Sequence, residues 1–201
     1  MRRWGTAAAA LVLAAAGLTA TAASATAATA TATATATKAN TRAEACATAW
    51  GSGDKTADVT AYTPLTNIRT GRHDCYDRMV IDTRAAGGNK VGYQVRYVDK
   101  VYQDGSGTAI PVGGGAVLEV RVAAPSYDPE TGAATYPGRA GKPLPGVNIS
   151  GYRTFKDTRF VGSFEGDTQI GLGVRARLPF RVLQLPDRLV IDVAHTWSTA
   201  R

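Results

Sequence analysis

The chain has 201 residues, and its 23 lysines and arginines outnumber its 16 aspartates and glutamates, which gives a formal net charge of +7. This length fits one sizeable domain, and after the first residues no apolar segment is long enough to span a membrane. Nucleic-acid binding is disfavoured because the chain has neither a concentrated basic helix nor an aromatic RNA-reading motif. The positive charge therefore indicates only a tendency to associate with anionic polymers.

Residues 1–25 have the features of a secretory signal peptide. Arg2 and Arg3 precede the apolar run AAAALVLAAAGLTA, and the small residues ASA come shortly after it. Without these two arginines the chain keeps 21 basic against 16 acidic residues, or +5. No cysteine follows the apolar run directly and no hydrophobic tail occurs before Arg201, so we expect a secreted protein without an anchor. Its positive charge would keep it associated with the cell wall.

Residues 26–45 contain the low-complexity tract TAATATATATATK. Alanine and threonine bury too little apolar surface to offset the entropy lost on ordering, so we expect a disordered spacer, either unmodified or O-glycosylated. The predicted folded domain then spans residues 46–197, and a short tail remains at 198–201.

The two cysteines of the chain, Cys46 and Cys75, predict one disulfide, because thiols of exported proteins are usually oxidised. The bridge would join the start of the domain to the segment before DRMVID, and on the loop-entropy model it would contribute about 3–4 kcal/mol. A catalytic thiol is the alternative, since His73 is near Cys75 in sequence. That alternative requires a lone cysteine beside a base, so the disulfide is favoured.

The folded part reads as strand after strand. Apolar β-branched or aromatic residues alternate with polar ones between turn residues, and no window shows the 3.6-residue apolar stripe of a capped helix. Seven to nine short strands predict an all-β sandwich or barrel. The predicted strands span residues 78–84, 91–102 (one bulged strand or two), 116–123, 158–164, 168–174, 180–184 and 188–194, with less regular candidates at 59–62 and 67–69.

One connection is unusually long, from residue 124 to residue 146, and it holds five of the nine prolines. A loop of this length in a compact domain is usually functional or disordered. We expect a mobile surface loop, with the alternative that Tyr127 and Tyr136 line a ligand groove.

The segment DRMVID at 77–82 is repeated almost unchanged as DRLVID at 187–192. Because side chains alternate along a strand, each copy offers one apolar face to the core and one outer face that reads Arg-Val-Asp. The two copies either occupy equivalent places in two similar sheets packed back to back, or they lie in one sheet. The outer faces either carry solvated or cross-strand pairs, or they bind a repeating polymer; their charged residues are Arg78, Asp82, Arg188 and Asp192.

Several of these phrases resemble the AMIN-like domain of exported bacterial proteins: TNIRTGRHDCYDRMVID, IPVGGGAVLEVRV and FVGSFEGDTQIGLGVRARLPFRVLQLPDRLVIDVAH. That domain is itself similar to the AMIN module of cell-wall amidases and pilus secretins. The resemblance extends from Trp50 to Trp197. It implies a β-sandwich of two similar sheets that binds peptidoglycan without catalysis, through the exposed strand faces just described. The chain stops at Arg201, so we expect no catalytic domain on the same polypeptide.

The only two histidines are His73 and His195, and the repeat strands could bring them together with Asp74, Asp77 and Asp192. A metal site or an acid–base pair would use such residues. No His-x-x-x-His, Cys-x-x-Cys or three-ligand spacing is present, so we predict no metal and no cofactor. We interpret His195 as a strand-end residue that is hydrogen-bonded to the backbone.

The stretch GLGVRARLPFR lacks the strand–loop–helix context of a phosphate-binding loop, although Gly171 and Gly173 are suggestive. Arg175 and Arg177 share one face if the strand continues. They would then meet peptide carboxylates or phosphate-bearing wall polymers, or else they protect a solvated edge against aggregation.

These patterns together favour an exported, non-catalytic module that binds the cell envelope, either peptidoglycan or an associated anionic polymer. The alternative is an accessory module that docks another exported protein through a sheet edge or the proline-rich loop. A hydrolase that uses His73, Asp74 and His195 is the third reading. Glycoside hydrolysis needs two paired carboxylates, and the candidates Glu119 and Glu165 lack a recognisable context for it.

Overall fold

The computed structural model describes residue 46 and residues 49–58, 62–84 and 90–197. The predicted signal peptide, spacer and C-terminal tail lie outside the described residues, as does most of the candidate strand at 59–62. The described part contains no α-helix, and none of it forms a helix long and apolar enough to cross a membrane.

The described residues form eleven strands, each antiparallel to its neighbours. In chain order they are β1 (Lys55–Ala57), β2 (Leu65–Arg72), β3 (Tyr76–Thr83), β4 (Tyr93–Val98), β5 (Val101–Tyr102), β6 (Ala109–Ile110), β7 (Ala116–Val122), β8 (Phe155–Phe164), β9 (Asp167–Val174), β10 (Phe180–Leu185) and β11 (Arg188–Ala194). A five-stranded sheet has the order β1-β4-β7-β9-β8, a four-stranded sheet has the order β10-β11-β3-β2, and β5 pairs with β6 alone. The all-β prediction is confirmed. The strands β1 and β6 were not predicted, because three and two residues are too few to show an alternation.

The two larger sheets face each other across one apolar core, as the sandwich prediction requires. Met79 and Ile81 of β3 and Leu118 and Val120 of β7 are all 0% exposed and belong to the same cluster. The hydrophobic effect stabilises this arrangement, since each such side chain contributes about 1.5–3 kcal/mol when fully buried. The predicted inward faces of both repeat segments are therefore confirmed.

The two repeat segments lie in one sheet. Strands β3 and β11 are adjacent and antiparallel in the four-stranded sheet, with Val80 opposite Val190. In this register Arg78 lies opposite Asp192, and Arg188 lies opposite Asp82. The physical reason is that the pattern Arg-x-Val-x-Asp becomes Asp-x-Val-x-Arg when its direction is reversed. Two copies of one segment therefore have complementary charges when they pair antiparallel.

The outer face of the five-stranded sheet is covered by residues 99–115, which include β5 and β6. Val101 and Ile110 of this segment pack with Val161 of β8 in a second apolar cluster. The segment comes so close that a Cβ at Gly173 of β9 would lie 1.8 Å from the carbonyl oxygen of Gly113. The glycines of GLG thus allow a close approach of backbone to sheet, which is what a glycine inside a strand often signifies.

We expect Gly173→Ala to lower the free energy of unfolding by about 1–3 kcal/mol, because the added methyl group must push the covering segment away. Chemical denaturation of the purified protein measures this change. Gly53→Ala is the matched control: a Cβ there meets nothing within 4 Å, so its expected effect is below about 0.5 kcal/mol. Equal losses in the two variants would contradict the packing explanation.

The loop from residue 124 to residue 146 is anchored in the core by two of its side chains, which its prolines did not predict. Tyr136 is 4% exposed and Leu144 is 2% exposed, and both belong to the main core. The Tyr136 hydroxyl donates to the carbonyl of Pro145 at 2.9 Å, and burial raises the pKa of this phenol. Tyr136 therefore anchors the loop inside the sandwich and does not line a surface groove.

Candidate functional site

The outer face of the four-stranded sheet is only partly exposed, since Val80 and Val190 on this face are 5% and 4% exposed. In the described part of the chain, the apolar clusters form between the sheets and beneath residues 99–115, and neither lies on this side. The face carries charged residues from all four strands, which we call the Arg/Asp face: Arg69, Arg78, Asp82, Arg181, Arg188 and Asp192.

Asp192 is the centre of the Arg/Asp face, and its side chain is 0% exposed. Arg78 donates to it from Nε at 2.6 Å and from Nη2 at 2.9 Å. Arg181 on the other side donates from Nε at 2.8 Å. The hydrogen bonds that the Arg78 guanidinium donates to the Asp192 carboxylate raise the pKa of Arg78. One buried carboxylate thus holds two guanidinium groups side by side, which leaves an excess of positive charge at this point.

The second cross-strand ion pair that the register allows, between Arg188 and Asp82, does not form. Asp82 accepts instead from Arg69 of β2, at 2.8 Å from Nε and 3.0 Å from Nη2. Arg188 turns to its neighbour Asp187, where Nε donates at 2.8 Å. This hydrogen bond lowers the pKa of Asp187. The side chains of Arg69 and Arg188 are 48% and 37% exposed, so these pairs contribute little stability and their cations stay accessible.

Aromatic rings border the face at the end where β3 begins. Arg181 lies 4.4 Å over the ring of Trp50, and Arg78 lies 5.2 Å over the ring of Tyr76. His73 stacks on Tyr76 with a centroid distance of 4.5 Å. Cation–π contacts of this kind hold arginines in place. Sequence reasoning missed these rings, although Tyr76 precedes Arg78 by two residues and so shares its side of the strand.

A cavity of about 560 Å³ lies beyond this end of the four-stranded sheet, and we call it the terminal cavity. The buried pair of Asp77 and His195 forms part of its wall: His195 Nε2 lies 3.1 Å from Asp77 Oδ1, and Nδ1 lies 3.1 Å from the carbonyl oxygen of Asp74. The interpretation of His195 as a backbone-bonded strand-end residue is confirmed. Both histidines line this cavity together with Asp74 and Asp77, but Asp192 does not belong to its lining.

The terminal cavity is braced by the disulfide between Cys46 and Cys75, as predicted. The carbonyl of Cys75 accepts the backbone N–H of His195 at 2.9 Å, so the bridge holds the segment that faces the histidine. Among the described residues no group of three or more His, Cys, Asp or Glu side chains could hold a metal ion.

Arg175 and Arg177 do not share a strand face, because β9 ends at Val174. Arg175 donates to the carbonyl of His195. Arg177 donates to the carbonyl of Ser52 at 3.2 Å and lies 5.0 Å over the ring of Tyr97. Both side chains are exposed, but they lie in the β9–β10 connection and not on the Arg/Asp face.

The two carboxylates considered for glycoside hydrolysis have structural surroundings. Glu119 is buried on the covered side of the five-stranded sheet, where it accepts from Arg96 at 3.0 Å and from Gln169 at 2.6 Å. Glu165 occupies the turn between β8 and β9, with a φ of 49°. The two lie on different parts of the fold and form no pair across a groove.

A family model for the AMIN-like domain matches residues 63–195. No curated protein and no solved structure matches the chain. The matched range includes both repeat strands, every charged residue of the Arg/Asp face and the two histidines of the terminal cavity.

Proposed function

Because the chain belongs to the AMIN-like domain family, we propose that it is an exported, non-catalytic module that binds the cell envelope through the Arg/Asp face. The ligand is peptidoglycan or an anionic polymer associated with it. The observation that carries the proposal is that a single buried carboxylate on this face, Asp192, holds two partly exposed arginines, Arg78 and Arg181.

The geometry of these arginines supports binding to a polymer with repeated anionic groups. A guanidinium has five N–H donors, and Arg181 uses one of them on Asp192 in the hydrogen bonds of the described residues. Its side chain is 35% exposed, so the remaining donors can reach carboxylate or phosphate oxygens. Because Asp192 and Trp50 already restrict this side chain, less conformational entropy is lost when a ligand binds.

The charge of the whole chain supports the same proposal without identifying the ligand. A formal net charge of +7, or +5 without Arg2 and Arg3, concentrates a protein near anionic wall polymers. A specific site is distinguished from this general attraction by salt, because at about 0.5 M salt the Debye length falls to roughly 4 Å.

Sedimentation with purified peptidoglycan sacculi tests the proposal. We expect the wild-type protein to sediment at physiological salt and to be retained at about 0.5 M salt. The triple variant Arg69→Gln, Arg181→Gln, Arg188→Gln should bind about tenfold more weakly, since each exposed charge contributes a few tenths of a kcal/mol up to about 1 kcal/mol.

The matched control removes three positive charges elsewhere, with Lys100→Gln, Arg139→Gln and Lys142→Gln. All three side chains are exposed, so folding should be unaffected and sedimentation should stay near the wild-type level. Equal losses in the two triple variants would show attraction by net charge alone. If the wild-type protein does not sediment at physiological salt, wall binding itself is refuted.

The contacts of the proline-rich loop argue against the alternative that the domain docks another protein through the edge of β8. That loop pairs with the edge of β8, since Gly141 donates to the carbonyl of Phe160 and Phe160 donates to the carbonyl of Lys142, both at 2.9 Å. The edge of β8 is therefore partly covered by the chain itself and offers fewer backbone groups to a partner.

A further inference from the structure

The terminal cavity contains two arginines whose guanidinium groups have almost no partner. The guanidinium of Arg72, at the end of β2, makes no hydrogen bond or ion pair within the described part of the chain, and it lies against Gly151, where a Cβ would be 3.4 Å from Nη1. Arg153 makes one long hydrogen bond, 3.4 Å from Nη1 to the carbonyl of Asp74. Both side chains line the same cavity, so their unused N–H donors are available to one acceptor.

The cavity wall behind these arginines is already satisfied. Asp77 is 0% exposed and accepts from the backbone N–H groups of Thr154 and Phe155 at 2.6 and 3.2 Å, in addition to its contact with His195. Its carboxylate therefore does not need Arg72 or Arg153 as a counter-ion. Asp74 is the other acidic group of the lining, and its side chain is exposed at the rim.

We propose that the terminal cavity binds the free C-terminal carboxylate of a peptide, with Arg72 and Arg153 as the residues that recognise it. Planar guanidinium groups match the two oxygens of a carboxylate and form charge-assisted hydrogen bonds with it. A volume of about 560 Å³ exceeds the size of a carboxylate alone and has room for the residues that precede it. The inference goes beyond the proposed function, because the cavity lies at the end of the sheet and outside the Arg/Asp face.

The buried acidic group of the lining does not compete with a ligand for the two guanidinium groups, because Asp77 already accepts from two backbone N–H groups and contacts His195. Guanidinium groups also bind phosphate, so inorganic phosphate is the comparison anion in the test below. His73, also in the lining, has ring nitrogens that can bond to a peptide group.

The test is a titration of the purified protein, followed by NMR of its backbone amide and arginine Nε–H signals. The probes are N-acetyl-Ala-Ala, its C-terminal amide and inorganic phosphate. We expect N-acetyl-Ala-Ala to bind with a Kd on the order of 1 mM, as about two charge-assisted hydrogen-bond pairs in an open site would give. The signals of Gly151 and of its neighbours should shift, and the amide should bind at least about tenfold more weakly.

Arg72→Gln and Arg153→Gln should each weaken binding of the free acid by about tenfold, and Arg139→Gln should leave it unchanged. All three arginines are exposed, so the variants should fold alike, which a thermal melt checks. The proposal is overturned if the amide binds as well as the acid, if phosphate binds more tightly, or if the Arg72 and Arg153 variants match the control. If the wild-type protein sediments with sacculi but does not bind the free acid, only this inference is refuted. If it binds the free acid but does not sediment with sacculi, only the proposed function is refuted.

Discussion

Replacement of Asp77 by alanine is expected to lower the free energy of unfolding by about 3–5 kcal/mol, which would make it one of the most destabilising single changes in the domain. Asp77 belongs to β3 of the four-stranded sheet, and it accepts the N–H groups of Thr154 and Phe155 at the start of β8 in the five-stranded sheet. It also faces His195 Nε2 at 3.1 Å. Alanine would leave three buried donors without their acceptor.

Asp77→Asn is the informative control, because the amide can satisfy the same neighbours in another way. Its oxygen can accept from Thr154, and its NH₂ group can donate to His195 Nε2 when that nitrogen carries no proton. The other ring nitrogen of His195 would still donate to the carbonyl of Asp74. We therefore expect the asparagine variant to lose about 1–2 kcal/mol, clearly less than the alanine variant.

Urea denaturation of the wild-type protein and both variants measures these differences through the transition midpoint and slope. An alanine variant within about 1 kcal/mol of the wild type would contradict the assigned role of Asp77 as a tie between the two sheets. The asparagine variant should also retain binding of N-acetyl-Ala-Ala in the terminal cavity, because Asp77 supports the wall and does not contact the proposed ligand.

The sequence allowed the inward faces to be predicted because alternation is a local property. Met79 and Ile81 could be placed in the core from the letters DRMVID alone, and the structure confirms them as 0% exposed. The choice of partner strand could not be predicted in the same way, since β3 and β11 are more than 100 residues apart and their pairing depends on the whole sandwich. The signal was present nonetheless: the charge pattern of the repeat is complementary to its own reversal.

The composition of the candidate site depends even more on long-range contacts. Arg78 and Asp192 were identified as outer-face residues, but no pattern indicated that Arg181 would join them on the same carboxylate. Trp50 is far from β10 in sequence and reaches Arg181 only through the fold. The proline content located the loop at 124–146. It could not reveal that Tyr136 is buried, because the composition of a loop does not tell which of its side chains packs into the core.

Removal of the Cys46–Cys75 disulfide is the second change with a large expected effect. The two cysteines are separated by 29 positions, and closing a loop of this size restricts the unfolded chain by about 3–4 kcal/mol on the loop-entropy model. The double variant Cys46→Ala, Cys75→Ala should therefore lose about this much free energy of unfolding, since its loop gains freedom mainly in the unfolded state. A reducing agent should destabilise the wild-type protein by a similar amount and leave the double variant unaffected.

The same variant separates stability from ligand binding in the terminal cavity. Cys75 directly follows Asp74, and the carbonyl of Cys75 accepts the backbone N–H of His195. The disulfide therefore also limits motion of the segment that carries His73. Below the unfolding transition, the double variant should keep its fold and bind N-acetyl-Ala-Ala several-fold more weakly, because a less ordered site loses more entropy on binding. Thermal melts with and without reductant measure the first effect, and NMR titration measures the second. If reductant leaves the wild-type melting temperature unchanged although thiol titration shows two free cysteines, the bridge does not stabilise this domain.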